Sequence, residues 1–130
     1  MQDADFSDEF CQFVQRTVPT VEAAEFLLAL AAEPNRWWDQ KQVSAKLRPA
    51  LSISDAEAAR YVDIFQAGGL LVARADNRIQ YRPASEELAS QVTVLAQANA
   101  SRPVTLIRMI YAFRDEKIRS FADAFKLTRK

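Results

Sequence analysis

The run from Trp37 to Tyr81, WWDQKQVSAKLRPALSISDAEAARYVDIFQAGGLLVARADNRIQY, constrains this chain more than any other stretch. Asp39 is placed to cap a helix through Leu47, and Pro49 ends it. Val43 and Leu47, four apart, face inward on that helix, while Lys41, Lys46 and Arg48 point outward. Ser54 with Glu57 three residues on forms a capping box for a second helix. Its core stripe is Ala58, Val62 and Phe65, and Gly68-Gly69 end it by permitting positive φ. Leu70-Leu71-Val72 and Ile79–Tyr81 then flank Asp76-Asn77, a turn-forming pair, as in a hairpin.

The flanks read as helices. Phe6, Phe10, Phe13 and Val14 recur at helical spacing over residues 5–17. Pro19-Thr20 breaks the pattern and starts Val21 to Ala32, with Phe26, Leu27 and Leu30 as the buried stripe. Pro34-Asn35 stops it, and at least one of Trp37 and Trp38 is expected to pack under the domain rather than stack on a base or partner. Beyond the ribbon, Ser85, Leu88, Val92 and Leu95 begin another helix, and Ser101 and Pro103 open a last one, Val104 to Phe125, with a bend expected near Asp115. The expected fold is mainly α: one domain over 1–130, with a core at 20–83, a small β-ribbon, an N-terminal helix at 5–17 and a C-terminal helical extension at 85–126.

Charge is distributed rather than absent. The net charge is zero, but residues 1–33 hold seven acids against one base, and residues 101–130 hold eight bases against three acids. The chain has no histidine, which removes the usual acid–base and triad chemistry and the commonest metal ligand. It shows no glycine loop for phosphates and no metal-spaced cluster, so no enzyme, no cofactor and no metal are expected. Cys11, alone among Phe10, Phe13 and Val14, reads as a buried structural thiol. With no leader pattern and no apolar run long enough for a bilayer, a cytoplasmic protein without a membrane span is expected.

The segment Asp39–Arg82 resembles the winged helix-turn-helix superfamily in a MarR-like sense. The matching features are Val43…Leu47, then Val62…Phe65…Gly69-Leu70-Leu71, and the ribbon ending Tyr81-Arg82-Pro83; Val21–Glu33 fits as the supporting helix. The resemblance covers a third of the chain directly. It implies DNA binding through the second helix, Ser54–Ala67, and the wing, often as dimers joined by terminal helices.

The residues both support and resist that implication. Arg60 could reach guanine, but Asp55, Glu57 and Asp63 share its helix, and a solvated face with an Arg60–Asp63 pair is an equal reading. Arg74, Arg78 and Arg82, with Asn77 at the tip, suit phosphate contact, and Lys41, Lys46 and Arg48 could join them. The same arginines also suit a plain soluble sheet edge.

In the tail, Val104 to Phe113 is apolar nearly all the way round a helix, with Thr105 and Arg108 its strongly polar residues. Leu106, Ile107, Ile110, Phe113 and Phe121 are therefore expected at a homodimer interface. The alternatives are that the tail completes the core against Phe6, Phe10 and Phe13, or lies on a membrane surface. Two functions follow: a winged helix DNA-binding transcriptional regulator with duplex DNA as partner, or a winged helix protein–protein interaction module that does not bind DNA.

Overall fold

Five polar side chains fix where five helices begin. Ser7, Thr20, Asp39, Ser54 and Ser85 each sit in extended backbone, and each side-chain oxygen accepts a hydrogen bond from an N–H in the first turn beyond it. Such a cap is worth about 1 kcal/mol against alanine. Asp39 and Ser54 also make the reciprocal bond, their own backbone N–H groups donating to the Gln42 and Glu57 side-chain oxygens at 2.8 Å and 3.0 Å.

The computed structural model describes residues 6–128, and side chains for residues 6–116. Its elements are α1 (Asp8–Thr17), α2 (Val21–Ala31), α3 (Gln40–Leu47), α4 (Asp55–Ala67), β1 (Leu71–Ala73), β2 (Ile79–Tyr81), α5 (Glu86–Ser101) and α6 (Pro103–Thr128). The fold is mainly helical with a small antiparallel sheet, in which Val72 pairs with Gln80. Trp38 adds a single bridge to the outer side of that sheet. Its N–H and C=O exchange bonds with Ile79, both at 2.8 Å.

The element α2 holds the molecule together. It packs against α3, α4 and β2 on one side and α5 on another, while α1, α5 and α6 contact each other. Ala23, Ala24, Phe26, Leu27 and Leu30 are all buried, so α2 has two inward faces. Phe26 meets Tyr61 edge-on at 6.0 Å and Phe65 at 6.5 Å between ring centroids, which joins α2 to α4.

Several expected details shift. The first helix begins at Asp8, because Ser7 takes the cap position. On α4 the buried stripe is Ala58, Tyr61 and Phe65, with Val62 only flanking it. Tyr61 can hold that place because its hydroxyl shares a 2.9 Å hydrogen bond with Thr20 Oγ1, and burial raises its pKa. The last helix runs unbroken through Asp115. Cys11 is half-buried rather than buried, with Sγ 3.7 Å from Met109 Sδ.

Of the two glycines only Gly69 has positive φ, at 78°, while Gly68 stays near helical values at −81°. A Cβ at Gly69 would also lie 3.3 Å from both Ala84 Cβ and Leu88 Cδ1. Gly69→Ala is therefore expected to lower the unfolding free energy by about 1–2 kcal/mol, the cost of left-handed backbone with a Cβ. Urea unfolding measures this, and an unchanged midpoint would show that the turn relaxes freely. The corresponding change at Gly68 is expected to be milder.

Candidate functional site

The hairpin joining β1 to β2 concentrates charge in few residues. Asp76 Oδ1 accepts from the Arg78 backbone N–H at 3.2 Å, and Asn77 takes φ 66°, so the turn closes tightly. That geometry brings Arg74 and Arg78 to one carboxylate. Arg74 donates Nε at 3.2 Å and Nη2 at 2.8 Å to the two Asp76 oxygens, a forked contact, and Arg78 Nε lies 3.6 Å from Oδ2. The hydrogen bond from Arg74 holds the Asp76 carboxyl below its usual range, with the Arg78 N–H adding to it. The pair is intact at neutral pH and is lost only as pH falls through that lowered value. Arg74 also lies over the half-buried Trp37 ring, 4.5 Å from its centroid.

A second charge cluster surrounds Trp38. This ring is buried, with Arg36 Cζ 3.7 Å and Lys46 Nζ 5.7 Å from its centroid. Both cations converge on Glu33, each at 3.3 Å. The Lys46 bond is the leading cause of the lowered Glu33 pKa, with Arg36 acting in the same sense. Gln80, buried in β2, donates to Asn35 O at 3.2 Å, which ties this loop to the ribbon. The two tryptophans thus link the Arg36–Lys46 cluster to the Arg74–Arg78 hairpin.

Of the expected site residues, Lys41, Lys46, Arg48, Arg60, Arg74, Asn77, Arg78 and Arg82 are all exposed. Lys46, Arg74 and Arg78 are not bare cations, however, because Glu33 and Asp76 already hold them. Spacing showed where they were but not that an acid thirteen residues earlier would meet Lys46. Arg36 is not among the residues that the sequence singles out, although its place beside Trp37-Trp38 is a usable signal.

The outer face of α4, opposite Ala58, Tyr61 and Phe65, carries Ala56, Asp63 and Ala67, with Arg60 and Ala59 on its two sides. Arg60 and Glu57 line an open groove of about 350 Å³ together with Ile110, Phe113 and Arg114 of α6. Arg60 is therefore exposed, on the side of α4 that faces the terminal helix.

The expected interface needs correction. Leu106 and Ile110 are buried within the chain's own core, at 1% and 2% exposure. Phe113 and Met109 pack at the edge of that core. Ile107 is half-buried, and Phe121 lies outside the residues whose side chains are described. A helix of α6's composition does have more than one apolar face, but α1 and α5 cover one of them.

Among the described residues, no helix is long and apolar enough to cross a membrane. No family model, curated protein or solved structure matches the chain.

Proposed function

We propose that residues 20–83 form a winged helix that binds duplex DNA, with the ribbon rather than α4 leading the contact. The order of elements supports the winged helix: α2, a bridging Trp38, α3, α4, then a hairpin whose second strand receives the bridge. The observation that carries the DNA reading is the hairpin itself, which exposes Arg74 and Arg78 at its turn and Arg82 at its base. Phosphate oxygens need cationic donors in rough register and no base-specific geometry, and a hairpin tip can meet that need.

The ion pairs with Asp76 do not forbid it. Exposed pairs have little net worth, so a guanidinium can exchange one oxyanion for another. On α4 the small residues Ala56, Ala59 and Ala67 permit close approach, and Arg60 is the side chain able to read guanine. Binding of this kind is dominated by phosphates, with modest sequence preference. A transcriptional regulator is the role it would serve.

A second reading rests on a specific observation. Two carboxylates occupy four cations, Arg36, Lys46, Arg74 and Arg78, and Asp63 lies on the outer face of α4. A surface whose cations are already held by acids suits a protein partner, with the acids of α4 meeting cationic groups.

Affinity for random duplex across a salt series separates the two. Three phosphate contacts give a slope of log K against log salt of about −2.7. Changing Asp55, Glu57 and Asp63 to Asn, Gln and Asn is expected to strengthen DNA binding, because it removes negative charge beside phosphates. No binding at low salt by either form would discard the DNA reading in favour of the protein partner.

A further inference from the structure

The open groove between α4 and α6 joins an apolar floor to a rim of opposite charges. Val18 and Ile110 are buried at its base, and half-buried Pro19 and Phe113 extend the floor. Its volume of about 350 Å³ suits a small molecule, since such sites run from roughly 300 to 1,000 Å³. Glu57, Arg60 and Arg114 stand on the rim, all exposed. Among the described residues, neither Arg60 nor Arg114 is held by an acid, whereas Lys46, Arg74 and Arg78 are.

The two guanidinium groups come from different elements. Arg60 belongs to α4, and Arg114 lies one turn beyond Ile110 on α6. Two cations reaching one groove from separate walls suit a carboxylate, whose two oxygens can accept from both. Glu57 makes a second demand. It sits three residues before Arg60 on the same helix, about 4.5 Å along the axis. Its Oε1 accepts from the Ser54 N–H at 3.0 Å, so the capping box fixes the carboxylate while Oε2 keeps its lone pairs.

We propose that this groove binds a free α-amino acid with an apolar side chain. The ligand carboxylate lies between Arg60 and Arg114, the ammonium donates to Glu57 Oε2, and the side chain covers Ile110 and Phe113. An α-amino acid carries both charges on one carbon, which matches an acid and a base one turn apart on α4. A simple carboxylate would leave Glu57 unanswered beside it, and a simple amine would leave both arginines unanswered. A polar side chain would lose its water against Val18 and Ile110 without gaining a partner. Arg60 is also the side chain offered to guanine, so a bound amino acid would draw it away from base edges. That consequence rests on the DNA reading, and the binding itself does not.

Isothermal titration calorimetry of the full chain with L-phenylalanine and with L-leucine, in the absence of DNA, tests the site. One saturable site with a Kd of about 1 mM or below is expected for at least one of them. For the one that binds, the amide derivative, which lacks the carboxylate, and the deaminated acid, which lacks the ammonium, should each bind roughly tenfold more weakly. Arg60→Gln and Arg114→Gln should each cost a similar factor. Glu57→Gln keeps the capping bond, since glutamine also serves at that position of the box. It should weaken the amino acid while leaving the deaminated acid unchanged or tighter. Circular dichroism melts establish that each variant is folded. Absence of saturable binding by both amino acids up to about 10 mM would overturn the proposal. So would a deaminated acid that binds as tightly as its parent, or a Glu57→Gln chain that weakens both alike.

Discussion

Replacing Trp38 by alanine is expected to lower the unfolding free energy by about 3–5 kcal/mol, the scale for deleting a buried aromatic ring. The ring is 1% exposed and lies where the loop before α3 meets the ribbon. Its backbone forms both bonds of the bridge to Ile79. Without the ring, Arg36 and Lys46 lose the apolar surface they lie against, and the loop loses its reason to follow β2. The substitution should therefore destabilise the domain and also loosen the ribbon, seen as faster amide exchange at Ile79 and Arg74, whose N–H groups bond within this region. Urea unfolding measures the first effect and hydrogen exchange the second. A loss below about 1 kcal/mol would mean the ring is not part of the core that the fold requires. Trp38→Phe should cost less, because a phenyl ring keeps much of the buried apolar surface of the indole.

Much of this architecture was legible because local chemistry announces it. Asp39 and Ser54 cap the helices they were expected to cap, and Asp76-Asn77 turns the chain between the two strands. Proline at 19, 34 and 49 separates elements for the same reason in each case, its missing N–H. The choice of Val62 over Tyr61 failed because periodicity ranks residues by apolarity, whereas the fold could bury a tyrosine once Thr20 supplied a hydrogen bond from 41 positions away. The expectation that Leu106 and Ile110 face a second subunit failed for a related reason, since both lie in the chain's own core. Spacing shows that α6 is apolar on several sides, but which side the core takes depends on where α1 and α5 arrive.

The candidate site was legible only as a list of cations. Charge counts along the chain treat Lys46 and Arg74 alike, as free positive groups. Long-range packing gives Lys46 to Glu33, and the tight turn gives Arg74 to Asp76. The electrostatic character of the surface is thus set by a few acids placed among bases, which net charge per segment cannot resolve.

Changing Arg74, Arg78 and Arg82 together to alanine is expected to abolish most of the affinity for duplex DNA. If each arginine neutralises one phosphate, the salt slope should flatten by about 2.7, and affinity at low salt should fall by roughly two orders of magnitude for every sequence. Arg60→Ala should behave differently, relaxing preference between sequences while most of the slope persists. A lysine triple variant discriminates further. Counterion release depends on charge, so lysines at these positions should preserve the slope, while any forked contact to a phosphate would be weakened. Thermal melts of each variant guard against a trivial loss of fold, because Arg74 also covers Trp37. Unchanged affinity and slope in the alanine triple variant would remove the ribbon from the site, and with it the observation on which the DNA reading depends. The Asp76 clamp supplies the converse: Asp76→Asn frees Arg74 and Arg78 from a carboxylate, so it should raise affinity only if those arginines do meet phosphates.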